Sequence, residues 1–182
     1  NLPVAGISEV GTSIICSGTE IGKLSQSCIR GKWKKPCRNC WKCFRKTLLD
    51  LTVKGEKLDG NTLDELFSIK EAILHLSQFP IKHENVLTYI SSKYDGEHGK
   101  MISLKNRVRG NLHSLDWIER WNPESEKLII EQYRESTVKK ITSLLQTMDA
   151  FEINEMKSWD MSDILNSDNY KSLHSDFVNV IS

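Results

Sequence analysis

Four of the five cysteines lie within sixteen residues, at Cys28, Cys37, Cys40 and Cys43. Two residues separate each neighbouring pair among the last three, and this spacing lets a tight turn aim two sulfurs at one metal ion. Cys40 and Cys43 are three residues apart at the start of a predicted helix, so they share one of its faces. Four thiolates without a competing histidine or carboxylate favour zinc or an iron–sulfur cluster. We predict one zinc ion held by all four cysteines.

A zinc ion with four cysteine ligands has no open position for water, so the predicted site is structural rather than catalytic. Its binding free energy, on the order of 10 kcal/mol or more, would be comparable with the stability of a whole domain. An iron–sulfur cluster and a set of free buried cysteines stay open as alternatives. Cys16 lies twelve residues upstream in an apolar run, and we interpret it as a small core residue.

Positive charge surrounds these cysteines. Eight basic residues and no acid lie between positions 30 and 46: Arg30, Lys32, Lys34, Lys35, Arg38, Lys42, Arg45 and Lys46. Two or three of them would balance the negative charge of a zinc–thiolate centre. The surplus predicts binding of nucleotide phosphates, an RNA or DNA backbone, or an acidic surface. The candidate residues for anion or nucleotide binding are Arg30, Lys32, Lys34, Lys35 and Arg38.

Three aromatic residues are interleaved with the charges. Trp41 and Phe44 are predicted to face the core, whereas Trp33, in the loop, is the candidate platform for a ligand. Trp41 and Phe44 belong to a helical pattern over about residues 40–52, which should stop near Gly55. Upstream, the apolar run at residues 13–17 predicts a strand, followed by a short helix that carries Ile21 and Leu24.

Beyond Gly55 the hydrophobic periodicity predicts an all-helical body. A capping box at residues 62–65 predicts a helix that continues to Phe79. Further helices are predicted at about residues 83–93, 112–121, 131–148, 161–166 and 170–180, with an exposed turn at 95–99. Asn122 followed by Pro123 predicts one more helix start. The predicted fold is mainly α, with a basic zinc-binding segment at 1–55 and an acidic helical domain at 56–182.

Composition excludes several classes of protein. A hydrophobic content of 38% and a charged content of 27% are ordinary for a globular chain. No apolar run approaches the ~20 residues of a membrane span, and no secretory signal is visible, so no membrane partner is expected. Clustered cysteines of this kind are typical of a reducing compartment, and we predict a cytoplasmic location.

The net charge of +1 divides into +7 over residues 1–55 and −6 over residues 56–182. Either the basic segment meets an anionic partner, or the two parts attract each other within one fold. The sequence leaves both readings open.

The pair Ser27-Cys28, an eight-residue gap, the motif Pro36-Cys37-x-x-Cys40-x-x-Cys43 and the basic helix that follows resemble a known zinc motif. It is the C-terminal motif of the 7-cyano-7-deazaguanine synthase (QueC) family of PP-loop ATP pyrophosphatases. The resemblance covers about residues 17–53. It implies that the four cysteines are zinc ligands and that the parent protein has an α/β nucleotide-binding domain that uses ATP and Mg²⁺. The family adenylates a carboxylate and converts it, with ammonia, to a nitrile.

The family's Ser-Gly-Gly-x-Asp-Ser loop is absent from this sequence, which also does not begin with methionine. We therefore expect the zinc-bearing C-terminal portion of a divergent QueC-like ligase, whose parent protein forms a nitrile, an amide or another adenylated product. This portion is not catalytic alone, and its partner is an N-terminal PP-loop domain. One alternative is a stand-alone zinc module that binds nucleic acid. Another is a helical interaction domain, with self-association as an option. No Ser/His/Asp set or carboxylate pair stands out, so the catalytic residues stay unassigned.

Overall fold

The computed structural model of the chain describes residue 2 and residues 4–182, apart from the side chains at 21, 23 and 163. In this part of the chain the regular structure is helical and contains no strand. The α-helices are α1 (Glu9–Ser17), α2 (Trp41–Val53), α3 (Gly60–Phe67), α4 (Lys70–Leu76), α5 (Glu84–Ser92), α6 (Gly99–Arg107), α7 (Glu131–Thr142), α8 (Ala150–Ser158), α9 (Ser162–Asn166) and α10 (Asp168–Ile181). Short 3₁₀ helices lie at Glu20–Leu24, Asp116–Glu119 and Pro123–Leu128. The predicted mainly α fold is confirmed.

The chain forms two compact units. The first consists of Asn1–Ser25 and Asp116–Trp159, and the second of Gln26–Leu115 and Asp160–Ser182. Each unit is therefore built from two separate stretches of sequence. The boundary predicted at residue 55 falls inside the second unit, between α2 and α3.

The second unit buries the apolar faces of its helices against one another. In α2, Phe44 and Leu48 are fully buried, and the Phe44 ring meets the edge of Phe67 at a centroid distance of 5.4 Å. Burial of each such side chain stabilises the fold by about 2 kcal/mol. In the same unit α10 packs against α6, and the buried residues of α10 include Phe177 and Ile181.

The first unit has its own small core. Trp121, Ile129, Ile141 and Leu145 are buried together, with residues of α1 packed against them. The indole N–H of Trp121 donates to the carbonyl oxygen of Ala5 at 3.1 Å, so the one polar atom of this side chain is satisfied.

The strand predicted at residues 13–17 is wrong, because these residues belong to α1. Ser8 begins this helix by accepting the N–H of Gly11 at 2.9 Å. A five-residue apolar run fits a strand and a buried helix equally well, and periodicity alone cannot separate them. The short helix predicted after it is the 3₁₀ helix at Glu20–Leu24.

The single helix predicted from Thr62 to Phe79 is also wrong, since α3 and α4 are separate helices. The side chain of Asp59 accepts the N–H of Thr62 at 3.0 Å and starts α3 at Gly60, so the capping box assigned to Thr62 is not formed. Between the two helices Ile69 has an extended backbone, with ψ of 110°.

Other helix predictions were mixed in outcome. Helices were confirmed at α2, α5, α9 and α10, and Asn122 caps the 3₁₀ helix at Pro123–Leu128. The helix predicted at 112–121 is mostly loop, and the one predicted at 131–148 ends at Thr142. Helices α6 and α8 were not predicted. Within the described residues no helix is both long enough and apolar enough to cross a bilayer.

Candidate metal centre

The four predicted cysteines come together. The Sγ atoms of Cys28, Cys37, Cys40 and Cys43 all lie within 4.8 Å of one another, and those of Cys37 and Cys43 are 3.7 Å apart. A tetrahedral zinc ion with Zn–S bonds of about 2.3 Å places its sulfurs about 3.8 Å apart. The four cysteines form no disulfide. The donor set and its spacing therefore fit one tetrahedral, thiolate-bound ion.

The start of α2 positions two of the sulfurs. Cys40 is the N-cap residue of α2, and its Sγ accepts the N–H of Cys43 at 3.4 Å. Cys43 follows in the first turn, where the unpaired N–H groups of a helix favour negative charge. On the other side of the cluster the Sγ of Cys28 accepts the N–H of Cys37 at 3.3 Å. Backbone N–H groups thus already donate to the sulfurs of Cys28 and Cys40.

Burial and hydrogen bonding act on the thiols in opposite directions. The N–H of Cys37 lowers the pKa of the Cys28 thiol to about 6. Burial, together with the neighbouring thiols, raises the pKa of Cys43. At Cys37 the N–H of Asn39 favours the thiolate, but burial and the neighbouring sulfurs raise the pKa overall. A divalent cation would stabilise all four thiolates at once and displace their protons.

Between Cys28 and Cys37 the chain makes a tight turn, which we name the Lys32–Lys35 turn. The N–H of Lys32 donates to the carbonyl oxygen of Lys35 at 2.9 Å, and the reverse bond measures 2.8 Å. Lys34 adopts a left-handed conformation with φ of 58°. A Cβ atom at Gly31 would lie 2.2 Å from the Lys35 carbonyl oxygen, so only glycine fits there. The turn carries Trp33 and Lys34 at its tip.

All five predicted anion-binding residues are exposed, but they differ in their contacts. They are Arg30, Lys32, Lys34, Lys35 and Arg38. Among them Arg30 forms an ion pair with Glu71 of α4. Trp33 is 60% exposed, whereas Trp41 and Phe44 are buried, as predicted.

Glu71 ties the metal-binding segment to α4. One carboxylate oxygen accepts a hydrogen bond from the Arg30 guanidinium, and the other accepts the N–H of Trp41 at 3.2 Å. The Arg30 guanidinium, helped by this N–H, holds the pKa of Glu71 below its usual value. Arg30 is therefore paired with an acidic residue of the same chain, so its charge does not require an external anionic partner.

Residues 1–160 match a protein family described as "Family of unknown function (DUF6395)". The chain belongs to the DUF6395 family. No curated protein and no solved structure matches it significantly. In this DUF6395 member the matched residues include all four cysteines, whereas α10 lies outside the match.

A second polar cluster of this DUF6395 member was missed by sequence reasoning. Arg107 of α6 is completely buried, and its guanidinium donates to both carboxylate oxygens of Glu84 in α5, at 2.8 and 3.3 Å. From α10, the Tyr170 hydroxyl donates to Glu84, and His174 Nδ1 accepts from Arg107 Nε at 2.7 Å. The guanidinium also lies 4.3 Å from the centre of the Tyr170 ring. These contacts tie α5, α6 and α10 together.

Only a weak signal for this cluster is present in the sequence. Charged residues inside amphipathic patterns usually mark the solvent face of a helix, and Arg and Glu are almost never fully buried unless they are paired. Arg107 follows Met101 and Leu104 at helical spacing, which places it on the buried face of α6. This spacing is the sequence feature that indicates a buried position for Arg107.

Proposed function

We propose that Cys28, Cys37, Cys40 and Cys43 hold one structural zinc ion, and that the segment they organise is the zinc-bearing part of a QueC-like ATP-dependent ligase. The observation that supports the zinc is the clustering of four sulfurs within 4.8 Å of one another. The ligase assignment is supported by the cysteine spacing with Ser27 and Pro36, over about residues 17–53. A reducing, cytoplasmic compartment is part of the proposal, because the four sulfurs must stay unoxidised.

Bound zinc would supply a rigid, closed coordination shell rather than a catalytic Lewis acid. In this chain the residues around it would hold the loop between Cys28 and Cys37 in place, and Glu71 would anchor that loop to α4. ATP and Mg²⁺ would belong to the PP-loop domain of the parent protein, where the carboxylate is adenylated and ammonia attacks. No catalytic residue is assigned to this chain.

The zinc proposal is tested by elemental analysis of protein purified without chelators. We expect one zinc per chain, and we expect Cys43→Ser to lose most of it. Cys16→Ser is the matched control and should keep its metal, because Cys16 is not one of the clustered cysteines. Iron in place of zinc would assign the site to an iron–sulfur cluster, and absence of any metal would overturn the proposal.

The ligase proposal has a separate test, the native coding sequence upstream of Asn1. A Ser-Gly-Gly-x-Asp-Ser loop after a predicted strand would support it, and the full-length protein should then release pyrophosphate from ATP. A start codon directly before Asn1 would remove its main premise without affecting the zinc centre.

A further inference from the structure

We propose that the Lys32–Lys35 turn binds single-stranded nucleic acid, and that the metal centre keeps the turn in its binding shape. The second clause rests on the proposed zinc centre. Neither clause depends on the ligase assignment. The argument uses the charge, the exposed aromatic side chain and the position of the turn between two metal ligands.

The turn and Arg38, which follows Cys37, carry positive charge. Lys32, Lys34, Lys35 and Arg38 are exposed, and the sequence has no acidic residue between Glu20 and Asp50. Several cations on one short loop suit a chain of phosphates better than a single phosphate group. Release of counterions from a polyanion then supplies much of the binding free energy.

Trp33 supplies the contact that selects a single strand. Its side chain is 60% exposed at the tip of the turn, with a lysine on either side in sequence. Base stacking on such an indole contributes about 1–3 kcal/mol per base and tolerates any base. In a duplex the base faces are already stacked on each other, so an exposed indole gains little there. The combination of flanking lysines and an indole therefore favours single strands.

An anionic membrane is the main competing partner. Ile29 is 93% exposed and could add apolar surface next to Trp33. However, two apolar side chains on a loop offer far less apolar area than the helix face by which proteins normally lie in a bilayer interface. The charges and the single indole fit a nucleic acid strand better.

The position of the turn links binding to the metal. Cys28 and Cys37 flank the turn, so their coordination to one ion would fix both ends of the loop. A loop held in its binding conformation loses less conformational entropy when the ligand binds. Metal removal should therefore weaken binding even though every cation and Trp33 remain.

The test is fluorescence anisotropy with labelled single-stranded oligo(U) and oligo(dT), at several salt concentrations. If four cations contact phosphates, the log–log slope of affinity against salt should be about −3. We expect Trp33→Ala to weaken binding about tenfold. Phe151→Ala removes a comparably exposed aromatic side chain and should have no effect. Lys34→Glu with Lys35→Glu should abolish binding, whereas Lys139→Glu with Lys140→Glu, on exposed positions of α7, should not.

The zinc content of every variant is measured, so that failure of the zinc proposal can be distinguished from failure of the nucleic-acid proposal. A wild-type protein that contains zinc but does not bind oligonucleotide overturns this inference and leaves the zinc centre standing. Equal losses in the test and control variants also overturn it, as does equal affinity for duplex. Binding to phosphatidylserine vesicles without binding to oligonucleotide assigns the turn to membranes instead. Unchanged affinity after chelation, with metal loss verified, overturns the link to the metal.

Discussion

His174 of α10 is held neutral by its neighbours. Its Nδ1 accepts the Nε–H of Arg107, so the ring proton must sit on Nε2, which donates to the carbonyl oxygen of Ser77 at 3.2 Å. Protonation of Nδ1 would place two donors against each other. Burial lowers the pKa of His174 below its usual 6.5; the hydrogen bond to Ser77 and the Glu84 charge oppose this shift, and the Arg107 charge adds to it.

This lowered pKa gives stability a defined pH dependence. The unfolded chain binds a proton at His174 near pH 6.5, whereas the folded chain binds it only at lower pH. The free energy of unfolding should therefore decrease as the pH falls from 7.5 through 6.5 and down to the folded-state pKa. In His174→Asn the slope of this free energy against pH, measured by urea unfolding, should be smaller. An unchanged slope would contradict the hydrogen-bond assignment.

The Glu84 carboxylate is the only acid that the described structure pairs with the Arg107 guanidinium. Glu84→Ala would leave a positive charge buried without its counter-ion, which costs about 3–5 kcal/mol. Urea unfolding should show a loss of this size. Glu65→Ala, an exposed change in α3, is the control and should stay within about 0.5 kcal/mol of the wild type. A comparably small loss for Glu84→Ala would show that the ion pair contributes little.

Among the elements, the loop between Cys28 and Cys37 has a strict backbone requirement at Gly31. A Cβ at Gly31 would lie 2.2 Å from the Lys35 carbonyl oxygen and 2.8 Å from the Cys37 nitrogen. These are backbone atoms, so the loop must shift to accommodate a side chain. Because the Cys37 N–H is the donor to Cys28, that shift moves two proposed ligands.

We therefore expect Gly31→Ala to weaken zinc binding by tenfold or more, measured by competition with a chromophoric chelator. Gly60→Ala in α3 is the matched control, since nothing lies within 4 Å of the Cβ it would add. Affinities that are equal in the two variants would show that the loop conformation does not control the metal site.

The helices that sequence reasoning found are those with long, regular apolar spacing. In α2, Trp41, Phe44 and Leu48 repeat at three and four residues and are buried as expected. The errors lie where a polar side chain decides the boundary. Asp59 starts α3 three residues before the predicted cap, and Asp149 with Glu152 forms a capping box that starts the unpredicted α8. Such caps are visible in the sequence, but several alternatives compete within a few residues.

At the scale of the whole molecule, a site formed by residues close in sequence was predictable, whereas a site formed by distant residues was not. The cysteine cluster was predictable because its four members lie within sixteen residues. The Arg107 cluster was not, since Glu84 and His174 are separated from Arg107 by 23 and 67 residues. No short motif encodes such partners, and only the packing of α5, α6 and α10 brings them together.

Because each unit is built from two separate stretches of sequence, their arrangement affects the order in which the units can fold during translation. The first unit uses residues up to Trp159, whereas the second opens at Gln26 and receives its last helix from residues 168–181. Domains generally acquire structure as they are synthesised, N-terminal parts first. Residues 26–115 of the second unit would thus be synthesised before its last helix. The Arg107 guanidinium would then lack Tyr170 and His174 while the first unit is completed. The four cysteines lie within sixteen residues of one another and Glu71 of α4 follows them in the sequence, so the metal-binding loop can assemble before α10 is synthesised.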